Sequence, residues 1–206
     1  MGKFYSLLRK YNLKNNKASL PEWTSIYREE EPPVYWTVLK NILNRFPKNS
    51  TVFEIGSGAG DLVAMIHDFG FKKICGIELN KTLTKCANEK LEFLCGLKNA
   101  IQNNTYPVFI DQPDILIQVN CVYFENISTK KEYLKLIKSF YDNAVPKYFL
   151  LEVIDSKFKT HTNIFPKFVR LSKNDISKTF TNKTIESFPT YVYPKNTSSK
   201  TIYLIS

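Results

Sequence analysis

The chain has 206 residues, 43% of them apolar and 23% charged, and carries a formal net charge of +10. That length supports one domain with a full hydrophobic core, and the composition is ordinary for a globular protein. Its longest apolar stretches, such as Ile115–Val119 and Tyr148–Ile154, fall well short of the ~20 residues a bilayer crossing needs, and the charged N-terminal stretch lacks the apolar region of a secretory signal.

Gly2 followed by Ser6 matches a loose myristoylation pattern, without a second membrane signal beside it. A soluble, cytoplasmic protein with no membrane partner is the expectation. Cys75, Cys86, Cys95 and Cys121 form no Cys-x-x-Cys pair, and neither His67 nor His161 stands at a metal-ligand spacing from them. They read as buried, reduced thiols, and no metal site is expected. The lysines are spread along the chain among abundant Asn and Ile, so the charge admits nucleic acid as a partner without favouring it.

In chain order, residues 1–48 read as a helical cap belonging to the same domain as residues 49–206. Phe4, Leu7, Leu8 and Tyr11 recur at helical spacing, and a break follows at Leu20-Pro21-Glu22-Trp23. The acidic run Glu29-Glu30-Glu31 and Pro32-Pro33 open a second helix from Val34 to Asn44, which Pro47 closes. From residue 50 the period changes. Thr51–Ile55 is a short strand running into glycines, Asp61–Phe69 a helix stopped by Gly70, and Lys73–Ile77 a second strand ending at Glu78. The pattern then predicts a long helix from Thr82 to Ile101, a weak third strand at Tyr106–Ile110, and a fourth strand over Asp114–Val119. Helix Lys130–Tyr141 and strand Tyr148–Ile154 follow. Ser172-Lys173-Asn174-Asp175 has the form of a capping box opening a helix to about Phe180. Strands Thr184–Tyr193 and Lys200–Ile205 flank the turn Pro194-Lys195-Asn196-Thr197. Strands alternating with helices at this spacing imply an α/β fold with a mostly parallel sheet covered on both faces, here closed by an antiparallel hairpin.

Chemistry concentrates at Glu54-Ile55-Gly56-Ser57-Gly58-Ala59-Gly60-Asp61. Glycines between a strand and a helix allow positive φ and close ligand approach, and the helix N-terminus offers unpaired N–H groups. Glu78 ends the second strand, placed to accept from ribose hydroxyls. A dinucleotide turn of the form G-x-G-x-x-G would need glycine where Asp61 stands, and both Asp61 and Glu54 oppose a pyrophosphate. For a ligand with no phosphate and a cationic amino-acid end, Glu54 is useful instead.

E-x-G-x-G-x-G after one strand and Glu after the next resemble the class I, Rossmann-like S-adenosylmethionine-dependent methyltransferases, over residues 50–206. The resemblance implies a three-layer fold and S-adenosylmethionine as cofactor, held by Glu54, Gly56, Ser57, Gly58, Gly60, Asp61, Glu78, Leu79 and Asn120. It also implies that Tyr27–Glu31 and Tyr35-Trp36 of the cap wall the pocket. Ligands of open α/β sheets lie beyond the carboxyl ends of the strands, which makes Asn120-Cys121-Val122-Tyr123 candidate reacting-centre residues. The prolines of adenine and glutamine methyltransferases are missing there. The stretch from Asp114 through Tyr123, Glu125 and Tyr133 to Leu150 is loosely similar to bacterial sugar and small-molecule O-methyltransferases. A hydroxyl nucleophile must be aligned and deprotonated. His161, in the loop after the fifth strand, is the candidate base, with Glu152 and Asp155 as rivals. Catalytic expectations are therefore His161, Asn120 and Tyr123, toward a small-molecule acceptor, with nucleic acid or peptide as an alternative. A non-catalytic cofactor-binding module is the other alternative. No oligomeric state follows from these features.

Overall fold

A computed structural model describes residues 2–15, 20–105, 112–122, 124–158, 165–192 and 198–206. It divides into two compact units, Met1–Tyr106 and Pro107–Ser206.

The first unit opens with helix α1 (Gly2–Lys14), a short 3-10 helix (Glu22–Arg28) and α2 (Val34–Leu43). Of the expected apolar positions of α1, Leu8 is buried, Phe4 and Tyr11 are half-buried and Leu7 is exposed, and Tyr5 is buried as well. Trp36 of α2 is fully buried and stacks on Tyr27 at 5.4 Å between ring centroids, which anchors the 3-10 helix to α2. There follow β1 (Thr51–Ile55), α3 (Asp61–Asp68), β2 (Lys73–Glu78), α4 (Lys81–Cys95) and β3 (Ile101–Asn103). The strands pair in parallel in the order β3-β2-β1, with Glu54 opposite Gly76 and Gly76 opposite Ile101. Parallel pairing requires crossovers, and α3 and α4 supply them.

The helix expected to reach Ile101 stops at Cys95. Gly96 takes a left-handed conformation at φ 70° and caps the last turn, a role glycine fills without steric cost. The released residues Ile101–Asn103 form the third strand of this unit, and the Asn88 side chain bonds both the N–H and the carbonyl of Ile101, at 2.9 and 2.8 Å. The expected strand at Tyr106–Ile110 lies outside the described residues. The expectation of buried thiols also fails. Cys75 is exposed, because strand alternation turns it outward between Ile74 and Gly76, and Cys86, Cys95 and Cys121 are half-buried; none of the four is in a disulfide.

The second unit holds β4 (Ile115–Gln118), α5 (Lys130–Ala144), β5 (Tyr148–Asp155), β6 (Arg170–Leu171), α6 (Lys173–Thr179), β7 (Ile185–Val192) and β8 (Ser198–Ile205). Its strand order is β4-β5-β8-β7, with β4 and β5 parallel and β8 antiparallel to both of its neighbours. The closing antiparallel hairpin is as expected; its turn, Pro194–Thr197, lies outside the described residues. The Ser172–Asp175 capping box is present, and a second one, Thr129 with Glu132, opens α5. Tyr141, Phe149 and Phe180 pack at 5.5–6.2 Å between centroids and tie α5, β5 and the end of α6 into one core. Among the described residues no helix is long and apolar enough to cross a membrane.

Candidate functional site

In the first unit the candidate cofactor site lies at the turn between β1 and α3. Gly56, Gly58 and Gly60 have φ of 71°, 53° and 77°. Every second residue is thus left-handed, the conformation that L side chains rarely adopt. The N–H groups of Gly56 and Ser57 both donate to the Ile77 carbonyl at 2.9 Å, which pins the turn to the end of β2. Gly76 makes this contact feasible. A Cβ there would lie 2.1 Å from Ser57 Oγ and 2.8 Å from the Glu54 carbonyl oxygen.

Three carboxylates surround the turn, and each has a different environment. Glu78, at the end of β2, accepts the Gly58 N–H on Oε2 and the Asn80 N–H on Oε1, both at 2.8 Å. A carboxylate has about four acceptor positions, so Glu78 retains capacity for ligand hydroxyls. Leu79 beside it is exposed. The Asn103 amide holds this corner by donating to the carbonyls of Glu78 and Leu79, at 3.0 and 2.8 Å.

Asp61, the first residue of α3, is buried, and its Oδ1 accepts from Lys90 Nζ and from Asn12 Nδ2, each at 2.7 Å. Asn12 also donates to the Tyr27 carbonyl at 3.2 Å, so α1 and the 3-10 helix are tied to the start of α3. With Asp61 neutralised by Lys90, charge exclusion of a pyrophosphate rests chiefly on Glu78. Asn12, Thr24, Arg28, Ala59, Asp61 and Lys90 border a small cleft beside the turn.

Glu54 differs from both. It is buried in β1, and among the described residues its Oε2 has no hydrogen-bond partner. Burial pushes its carboxyl up to about 8; a hydrogen bond from Ser57 opposes the rise, and the negative charges of Glu78 and Asp61 add to it. An orphaned, buried carboxylate oxygen fits a cationic group of a ligand and does not fit a phosphate.

The second unit carries the residues expected at the reacting centre. Asn120 follows β4 in a left-handed conformation at φ 53°, which Asn tolerates better than most residues. Its N–H donates to Glu152 Oε2 at 3.0 Å, and its Oδ1 accepts from Lys200 Nζ at 2.7 Å. Thr190 Oγ1 donates to Glu152 Oε1 at 2.8 Å, and Lys200 lies 3.3 Å from Glu152 Oε2. Glu152 is thus buried and engaged, and it orders the Asn120 corner. Asp155 Oδ1 accepts the Lys157 N–H at 2.8 Å. Tyr123 and His161 lie outside the described residues. Arg170 bonds the carbonyls of Phe158 and Phe165, which flank the segment containing His161. Among the described residues no group of His, Cys, Asp and Glu could hold a metal ion.

Residue-level reading of the sequence missed Gly76, Lys90, Asn12, Asn103 and Lys200. A lone glycine inside a strand is a signal of close backbone approach, so Gly76 was detectable. The others act from distant sequence positions.

No protein-family model and no curated protein matches the sequence. Solved structures do match. Magnesium protoporphyrin IX methyltransferase from Synechocystis PCC 6803, with bound SAH, superposes with a TM-score of 0.70 at 14% identity, covering 97% of this chain and 98% of that one. A S-adenosylmethionine-dependent methyltransferase from Clostridium acetobutylicum ATCC 824 gives 0.62 at 12% identity, covering 98% of each chain. The methyltransferase domain of bacterial CtHen1-C gives 0.62 at 11%, covering 84% of this chain and 96% of that one. The chain has the three-layer, Rossmann-like α/β fold of the class I S-adenosylmethionine-dependent methyltransferases.

Proposed function

We propose that the protein is a methyltransferase that uses S-adenosylmethionine and modifies a small-molecule acceptor, with a hydroxyl of a sugar or secondary metabolite as the methylated group. The observation that carries the cofactor is Glu54, whose buried Oε2 has no partner among the described residues. A methionine ammonium supplies the missing cation, and Glu78 supplies acceptors for the ribose hydroxyls. Gly56, Ser57, Gly58 and Gly60 let the cofactor approach the backbone, and exposed Leu79 offers an apolar surface for the adenine. Asp61 belongs to the cofactor site through the shape of the turn, since its own charge is held by Lys90. The bound cofactor brings an electrophilic methyl group.

Asn120, Tyr123 and His161 are assigned to the acceptor, His161 as the base that removes the hydroxyl proton. The missing prolines after Asn120 support a hydroxyl acceptor over an adenine or amide nitrogen. The match to an enzyme named for a small molecule, magnesium protoporphyrin IX, over nearly the whole of both chains supports a small acceptor. Residues 1–48 are proposed as a cap belonging with the remainder of the chain, and the protein as cytoplasmic. The +10 charge admits a nucleic-acid acceptor as the second reading.

Transfer of label from methyl-labelled S-adenosylmethionine to a panel of sugars and phenolic metabolites tests the proposal, with RNA and a protein extract as comparison acceptors. Labelled small molecules are expected. Label in RNA or protein alone would move the assignment to the second reading, and cofactor binding without any transfer would leave a non-catalytic module.

A further inference from the structure

Of the three carboxylates at the glycine turn, two are compensated within the protein. Glu78 receives two backbone N–H groups, and Asp61 receives a buried ammonium and a carboxamide. Glu54 is buried, and among the described residues its Oε2 accepts no hydrogen bond; Ser57 offsets its burial in part, and the charges of Glu78, from the end of β2, and Asp61, from the start of α3, are both negative. Among the described residues no cation acts on it: Lys90 is spent on Asp61, which it meets at 2.7 Å. On the β2 side its neighbour is Gly76, which brings no polar side chain. A buried carboxylate without a cation is costly, and holding a proton removes most of that cost.

We propose that Glu54 is a neutral acid in the free protein and that a cationic amino-acid end arriving at the turn converts it to the carboxylate, so that cofactor binding expels a proton. The proposal rests on the S-adenosylmethionine reading given above. The exchange balances: the O–H bond of Glu54 breaks, the proton passes to solvent, and the ligand ammonium takes its place as the compensating charge. The upward displacement of the Glu54 carboxyl to about 8 is in keeping with a proton held at neutral pH. Two consequences follow. Ligands that share the nucleoside but lack the ammonium bind without proton release. Affinity for ligands that carry it rises with pH, by about tenfold per unit while Glu54 remains protonated, and levels off above about 8.

Two measurements on the whole chain test this. Carbon-13 NMR of Glu-labelled free protein, with Glu54→Gln to assign the signal, is expected to show Glu54 titrating above pH 7. Titration in the ordinary carboxylate range would overturn the proposal whatever the ligand does. Calorimetric titration with S-adenosylhomocysteine at pH 7, in buffers of different ionisation enthalpy, is expected to show release of about one proton per ligand bound. Release should vanish in Glu54→Gln and with 5′-methylthioadenosine, which lacks the amino-acid end. Binding of S-adenosylhomocysteine without release, or release that persists in Glu54→Gln, would overturn the exchange. A high Glu54 titration with no S-adenosylhomocysteine binding at all would instead bring down the cofactor reading, and the exchange with it.

Discussion

Lys90 Nζ stands 2.7 Å from Asp61 Oδ1, and the two side chains are 5% and 3% exposed. This is a buried ion pair between α4 and the first residue of α3, extended to α1 by Asn12. Its consequence is that the residue after the glycine turn is fixed from behind by the fold. Two buried charges gain little over a well-packed apolar pair, but removing one of them strands the other. Lys90→Met is therefore expected to destabilise the protein by about 3–5 kcal/mol in urea unfolding. Replacing both partners, as in Asp61→Leu with Lys90→Met, should recover a large part of that loss. A Lys90→Met cost within measurement error would mean that the pair does not anchor the turn.

Gly76 should tolerate no side chain. Gly76→Ala would place a methyl 2.1 Å from Ser57 Oγ and 2.8 Å from a backbone oxygen. The hydroxyl can rotate away, but the Glu54 carbonyl cannot, so β1 and β2 must separate or the turn must shift. Thermal unfolding should show a loss of roughly 2 kcal/mol or more, in the range of overpacked cores, together with loss of S-adenosylmethionine binding. Gly2→Ala, where a Cβ meets nothing within 4 Å, is the neutral control.

Glu54 also makes stability depend on pH in a definite direction. Its folded-state carboxyl lies near 8, above the model-compound value of 4.5, so the folded protein holds a proton that the unfolded chain gives up. The contribution is fully present below about 4.5 and declines as pH rises through 8. The limiting slope for one proton is roughly 1.4 kcal/mol per pH unit. Unfolding free energies measured from pH 5 to 9 should therefore fall less steeply in Glu54→Gln than in the wild type. Parallel curves would show that Glu54 is ionised in the folded protein.

Glu78 combines a structural and a binding task, and the two separate by substitution. Glu78→Ala removes the acceptor of the Gly58 and Asn80 N–H groups and the proposed acceptor of the ribose hydroxyls. The expected result is a folded protein that binds S-adenosylmethionine roughly tenfold to a hundredfold more weakly, about 1.4–3 kcal/mol. Unchanged affinity would show that the ribose is held elsewhere.

Much of the fold was legible because its signals are local. The strand-glycine-helix run at Thr51–Asp68, the strand ending on Glu78 and the Ser172–Asp175 capping box all follow from neighbouring residues, and all are present. The errors arose where periodicity continued past a local stop. Apolar spacing ran on toward Ile101, but Gly96 ended α4 in a left-handed cap, and the third strand followed from Ile101. β6, at two residues, is too short to carry a period. Within the site, the glycines and carboxylates were visible but their partners were not. Asp61 meets Lys90 across 29 positions, and Asn120 meets Lys200 across 80. Such pairings depend on how helices and strands pack, so the sequence alone left the three acids of the turn looking equivalent in charge.

Side-by-side equilibrium binding of S-adenosylmethionine and NAD to the whole chain tests the central claim most directly. Glu54 suits a cationic amino-acid end, and the Glu78 carboxylate opposes a pyrophosphate. Saturable binding of S-adenosylmethionine with no measurable binding of NAD is the expected result. Binding of NAD in preference, or no binding of S-adenosylmethionine by folded protein, would contradict it.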